Sequence, residues 1–267
     1  MTALAGGGTA HAETGEGPPT AQAGGATDVV VLPTGDTVTV FPDGTTGLLP
    51  AEGRENVGFL SLPAPDGSSD HLVIPYDKVE AVKTGDEDPR RYNVTDLAAA
   101  GITDAGAVDA AGLGSVGDAG LSGAAIATDA EEAHKFSVQI VDRSGNVPQE
   151  NLVIVVENST GAFTILEFDA DGFASEALEP GDYTVVHGIW NNTPDFQRTE
   201  ITLGMTPMVM GTSQSLLVLD AADASPVTVD VPRPDAEMQV ASISLGTVIQ
   251  GRRFGYTDYA GPRPRSS

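Results

Sequence analysis

Between residues 134 and 232 short apolar, β-branched runs alternate with turn-forming residues, and this rhythm limits the fold more than any other feature. The runs fall at 136–141, 152–157, 163–168, 183–187, 199–203, 215–219 and 227–231. Between them lie Asp142-Arg143-Ser144-Gly145-Asn146, Ser159-Thr160-Gly161, Asp169-Ala170-Asp171-Gly172 and Glu179-Pro180-Gly181-Asp182. Glycine supplies positive φ and Asp or Asn side chains close local turns, so each run reads as one short strand. Seven such strands over about a hundred residues are the number expected of an antiparallel β-sandwich, Ig-like or prealbumin-like. Tyr183 follows the Pro180-Gly181 turn and is placed to pack at a sheet corner.

The region before it is organised differently. Val29-Val30-Val31-Leu32 and Thr37-Val38-Thr39-Val40-Phe41 flank Pro33-Thr34-Gly35-Asp36, which is a hairpin signal. Pro42-Asp43-Gly44 is a second turn. Strands are expected at 59–62 and 71–75 and a short helix at 76–84, with Val79 and Val82 on one side. Thr95 to Gly101 reads as a capped helix closed by glycine. This gives a small α+β domain at 27–104. Residues 105–133 are rich in Ala, Gly and Asp and poor in large apolar groups, which predicts a flexible linker. Limited proteolysis is expected to cut there first. The sandwich occupies 134–232, and 233–267 is expected to be a loose tail apart from a possible strand at 240–249.

Residues 1–26 are expected to be a disordered lead-in. Ala10-His11-Ala12 fits the small-residue pattern before a signal-peptidase cut, although no basic or long apolar segment precedes it. Two readings stand: Met1 lies inside a signal peptide that begins upstream, or the stretch is a flexible Ala/Gly tail. The first implies secretion.

Charge narrows the function. There are 38 acidic and 13 basic residues, a net charge of −25, and such a surface repels nucleic-acid phosphate and anionic membranes. A high-salt habitat would equally account for the acidity. There is no apolar run of the length needed to span a bilayer. The chain has no cysteine, so disulfides, thiolate metal sites and Cys nucleophiles are excluded.

Catalytic and metal patterns fail one by one. Gly211-Thr212-Ser213 resembles a serine-nucleophile context, but Gln214-Ser215-Leu216-Leu217 follows and reads as a loop entering a strand. His187-Gly188 continues into Ile189-Trp190, and the other histidines, His11, His71 and His134, are scattered. Asp169-Ala170-Asp171-Gly172 begins like a calcium loop but has Phe173 at the fifth position, so a turn with Asp capping backbone amides is expected. Asp86-Glu87-Asp88 reads as a solvated charge run, and no His pair has zinc-ligand spacing. No catalytic, cofactor or metal residue is assigned.

Several segments together resemble a known family. Val31-Leu32-Pro33-Thr34-Gly35-Asp36-Thr37-Val38-Thr39-Val40, Val73-Ile74-Pro75-Tyr76-Asp77 and Arg91-Tyr92-Asn93-Val94-Thr95-Asp96-Leu97 are similar to the pro-region of actinobacterial secreted subtilisin-like serine peptidases. Leu217-Val218-Leu219-Asp220-Ala221 and Pro226-Val227-Thr228-Val229-Asp230-Val231-Pro232-Arg233 resemble the β-rich accessory region that follows the catalytic domain in those proteins. The catalytic domain that should lie between them is replaced by the Ala/Gly stretch. The resemblance implies a secreted, non-catalytic, protein-binding chain, acting as an inhibitor, folding chaperone or auxiliary protein. A subtilisin-like protease is the first candidate partner, with residues 95–105 as the segment offered to its cleft. The alternatives are a carbohydrate- or cell-surface-binding module, for which Trp190, with Tyr183 and Phe196 nearby, would have to form an exposed platform, and the remnant of a truncated peptidase.

Overall fold

In the computed structural model of the chain the described residues are 27–63, 71–109, 112–116, 134–192, 198–213, 215–227 and 241–260. Among them the chain is mainly β, with fourteen strands in four sheets and only two short α-helices. The expected lead-in at 1–26 lies outside them.

Strands β1 (Asp28–Val31), β2 (Thr37–Val40) and β3 (Thr46–Leu49) form an antiparallel sheet. The expected hairpin turns at Gly35, whose φ of +85° only glycine adopts without strain. The carboxylate of Asp36 is fully buried and accepts from Thr34 Oγ1 at 2.6 Å and from Ala51 N at 2.8 Å, tying the turn to the chain beyond β3. β4 (Phe59–Pro63) and β5 (His71–Pro75) pair antiparallel. A 3-10 turn at Tyr76–Lys78 and helix α1 (Val79–Thr84) follow, burying Val79 and Val82. Helix α2 (Val94–Ala99) is capped by Asn93, whose side chain accepts from Asp96 N at 3.3 Å, so the cap lies two residues before Thr95.

The linker expected from residue 105 is placed too early, because its first residues are packed. Ala105 N donates to Val31 O at 2.9 Å, and Ala105, Leu113 and Val116 are buried. Arg91 holds this segment through its carbonyls, donating to Ala105 O at 2.5 Å and Val108 O at 2.7 Å. Composition concealed the packing because small residues fit close against a sheet edge where large ones would not. The remaining linker residues, 117–133, lie outside those described.

The second half contains β6 (His134–Val141), β7 (Glu150–Glu157), β8 (Phe163–Ile165), β9 (Phe173–Leu178), β10 (Gly181–Asn192), β11 (Arg198–Met210) and β12 (Ser215–Asp220). They form two sheets, ordered β11-β10-β7-β8 and β12-β6-β9. The expectation of a wholly antiparallel arrangement is corrected by one pair: β12 runs parallel to β6. β9 was not anticipated, because Ala174, Ser175 and Ala177 lack β-branching and gain their strand geometry from pairing with β6. The expected strand at 227–231 lies largely outside the described residues. Phe136, Val138 and Ile140 of β6 pack with Val153 and Val155 of β7 and with Val185 and Ile189 of β10 in one buried cluster.

Within the stretch expected as a loose tail, the described residues 241–260 are ordered, and the possible strand at 240–249 is found as the first of two. β13 (Ala241–Ile249) and β14 (Arg252–Ala260) form a hairpin through Gln250 (φ 52°) and Gly251 (φ 76°), two successive positive φ values that suit the twist of paired strands. β14 then pairs with β4, giving the sheet β13-β14-β4-β5. A C-terminal hairpin thus completes the sheet of the N-terminal region.

This closure explains the run Leu152-Val153-Ile154-Val155-Val156, buried at every position. Val153 and Val155 face the β6 sheet, while Leu152, Ile154 and Val156 join the cluster containing Leu60, Leu62, Leu72, Ile74, Phe254 and Tyr256. A strand covered on both faces reads as continuously apolar. The two halves therefore share one core. No helix among the described residues is long and apolar enough to cross a membrane.

Candidate functional site

The polar side chains singled out by sequence are mostly occupied in turns and pairs. Asp169 Oδ1 accepts from the backbone N–H groups of Asp171 at 3.0 Å and Phe173 at 2.9 Å, so the incomplete calcium pattern is the expected capped turn. In the acidic run Asp86-Glu87-Asp88 each carboxylate has a side-chain partner. Asp86 accepts from Thr84 at 2.9 Å, Glu87 pairs with Lys78 at 2.5 Å and accepts from the Tyr92 hydroxyl, and Asp88 pairs with Arg90 at 2.6 Å. The run is therefore engaged locally rather than freely solvated. No group of three or more His, Asp or Glu side chains among the described residues is arranged to hold a metal ion.

Tyr183 packs at the corner expected of it, its hydroxyl donating to Glu179 O at 2.9 Å. Trp190 is 0% exposed. Its ring lies between Tyr76, at a centroid distance of 5.0 Å, and Tyr256, at 5.1 Å. It offers no face to a sugar, and Phe196 lies outside the described residues. Gly211, Thr212 and Ser213 form an exposed bend between β11 and β12. Residues 95–105 run through α2 and end in buried Ala105, so they are folded back on β1 rather than extended.

Two clefts remain. The first lies where the sheets carrying β11 and β12 meet at their edges. It has a volume of about 340 Å³ and is lined by His187, Thr202, Gly204, Thr206, Asp220 and Asp223 among others. His187 and Gly204 are cross-strand partners on β10 and β11. A Cβ on Gly204 would come within 2.3 Å of the His187 ring, so the glycine makes the space in which the imidazole lies. Thr202, two residues along β11 and on the same face, is only 4% exposed. Neither His187 Nδ1 nor Thr202 Oγ1 has a hydrogen-bond partner among the described residues. Burial pushes the His187 imidazole down to about 4, so the ring is neutral across the physiological range. Among the described residues no carboxylate bonds His187 Nδ1, the contact that orients a catalytic histidine in a serine-protease triad. Asp220 accepts from Ala222 N at 2.8 Å and caps the turn Ala221–Asp223, which brings Asp223 to the rim. Among the described residues that line this cleft there is no Lys or Arg.

The second cleft, of about 460 Å³, lies on the sheet β13-β14-β4-β5 beside the β2–β3 turn. Gly246 and Gly255 face each other across β13 and β14, and Ser61, His71, Thr247 and Arg253 stand around them. Burial, with a smaller contribution from the Arg253 charge, pushes His71 down to about 4. Ser244 and Thr257 hydroxyls bond each other at 2.9 Å, satisfying part of its polar lining.

Sequence reasoning considered His187 only as a protease base and missed the cleft. The pairing of His187 with Gly204 depends on strand register, and adjacency in sequence does not show it. Comparison of the chain with protein-family models, with curated proteins and with solved structures finds no match.

Proposed function

We propose that this chain is a secreted, non-catalytic protein that binds another extracellular protein, and that it is related to the regions flanking the catalytic domain of subtilisin-like peptidases. The two sheets around Phe136 and Val153 are read as a sandwich of the Ig-like or prealbumin-like kind. One observation carries the proposal. The two regions that resemble peptidase flanks bury apolar faces against each other around Tyr76 and Trp190, and Tyr256 of the hairpin at 241–260 packs on the same indole. That favours a self-sufficient binding protein over a truncated remnant, whose severed faces would be left in water.

The folded-back course of residues 95–105 changes how a protease would be met. The preformed surfaces are the sheet edges and clefts, and insertion of that segment into an active site would first require Ala105 to leave β1. The carbohydrate reading is weakened by the burial of Trp190. The deciding experiment titrates the purified chain into secreted subtilisin-like proteases and follows both residual activity and co-elution. A complex at concentrations up to about 10 µM, ordinary for transient protein pairs, is expected, and neither inhibition nor co-elution would refute the proposal.

A further inference from the structure

We propose that the cleft on the sheet β13-β14-β4-β5 binds a single carboxylate group, carried on a small acid or at the C-terminus of a peptide. Strand register fixes which side chains face it. Gly246 pairs with Gly255 and Gly255 with Ser61, so these three lie on one face of the sheet. Arg253 is two residues from Gly255, and His71 pairs with Pro63, two residues from Ser61. Both therefore stand on that same face. Both line the cleft, and the Arg253 charge is felt at His71.

Two donors there are unused. Arg54, Arg90, Arg91, Arg143 and Arg252 each bond a carboxylate or a backbone carbonyl. Arg253 has no hydrogen-bond or ion-pair partner among the described residues, in a chain of net charge −25. Asp43 lies near enough to feel Arg253, but its Oδ1 accepts from both the N–H and the hydroxyl of Thr45. His71 is only 8% exposed, and its ring has no hydrogen-bond partner among the described residues either. Unlike His187 Nδ1, its nitrogens are not sealed from solvent, so a ligand in the cleft can reach them. Burying a polar ring unpaired is costly, and a ligand that accepts its proton removes that cost.

A carboxylate fits both donors. Its two oxygens match the planar guanidinium fork and leave lone pairs for a neutral imidazole N–H. A dianion such as phosphate is opposed more strongly by the acidic chain than a monoanion. The floor is bare: a Cβ on Gly246 would meet Phe254 O at 3.4 Å and Gly255 Cα at 3.9 Å, and nothing else among the described residues within 4 Å. Groups attached to the carboxylate can thus lie close against the strands. The volume of about 460 Å³ is that of a small-molecule site. The peptide source rests on the protein-binding proposal, whereas the small-acid source does not.

The test titrates the full chain with propionate, acetyl-Ala-Ala-Gly as its free acid and as its amide, and inorganic phosphate, following heat and the ring signals of His71. Saturable binding of at least one carboxylate, with none of the amide and weaker binding of phosphate, is expected. Arg253→Gln, at an exposed position, should weaken carboxylate binding about tenfold, the scale of one charge-assisted pair. Gly246→Ala adds a methyl to the floor at ordinary contact distance from Phe254 O, so the fold should tolerate it while binding weakens about threefold. Both variants are checked for parental circular dichroism. Tighter binding of the tripeptide acid supports a peptide end, and equal or tighter binding of propionate a small acid. No saturable change with either carboxylate up to about 10 mM, beyond the weak end of small-ligand affinity, would overturn the site. Equal binding of the amide, preference for phosphate, or unaltered affinity in either variant would do the same. A chain that binds propionate yet neither inhibits nor co-elutes with any protease would refute the protein-partner reading and leave this one standing.

Discussion

Trp190 Nε1–H donates to Asp258 Oδ2 at 2.5 Å, a bond between fully buried partners 68 residues apart that joins β10 to the C-terminal hairpin. Asp258 Oδ1 also accepts from Tyr259 N at 2.7 Å. Trp190→Phe removes one donor from a buried carboxylate and leaves part of the indole volume empty, so a loss of about 3 kcal/mol is expected. Asp258→Asn keeps an acceptor and should cost less. Urea unfolding of both variants and the double variant checks this, with non-additive losses expected because the two side chains touch.

Gly204 is required by its neighbour. Gly204→Ala places a Cβ 2.3 Å from the His187 ring and is expected to cost about 1–3 kcal/mol through overpacking. Adding His187→Ala should recover part of that loss, and thermal unfolding of the single and double variants would show it. Equal stability of Gly204→Ala and the parent would contradict the close packing.

Acid should act on the two buried histidines before most carboxylates. An exposed imidazole titrates near 6.5, while burial holds His71 and His187 at about 4 in the folded chain. Below about pH 6.5 the unfolded chain takes up these protons and the folded chain does not, so stability present above that pH is lost as pH falls toward 4. The loss is on the order of 3 kcal/mol per imidazole. Ring-proton NMR of the folded chain should give midpoints near 4 for both; midpoints near 6.5 would contradict their burial.

Arg54 links two carboxylates. Its Nε meets buried Asp36 at 3.0 Å, and its two terminal nitrogens meet Asp77 at 2.9 Å each. Arg54→Ala leaves Asp36 without its cation and is expected to cost about 3 kcal/mol. Arg54→Lys should recover only part, since one ammonium cannot reproduce the planar fork. Chemical denaturation of the two variants ranks them.

Local chemistry made much of the fold legible. The hairpin at Gly35, the valines of α1 and the strands around Val138, Ile154 and Val185 were readable because β-branched runs and turn residues act over a few positions. β9 was missed because its small residues carry no strand signal apart from their partner β6. Of the tail hairpin only β13 was legible; β14 was missed because Gln250-Gly251 is a weaker turn signal than Asn-Gly and because β14 gains its place from β4, almost two hundred residues earlier. The His187 cleft depends on register between β10 and β11 and on the approach of β12, neither of which is written in any local stretch.

Trp190 is the sole tryptophan and sits where the two halves meet, so its fluorescence reports the junction while far-UV circular dichroism reports all the sheets. Denaturant unfolding followed by both signals tests directly whether the halves form one body. Coincident midpoints and slopes are expected. A fluorescence transition at clearly lower denaturant, with the dichroism intact, would show that the halves fold separately and would contradict the shared core.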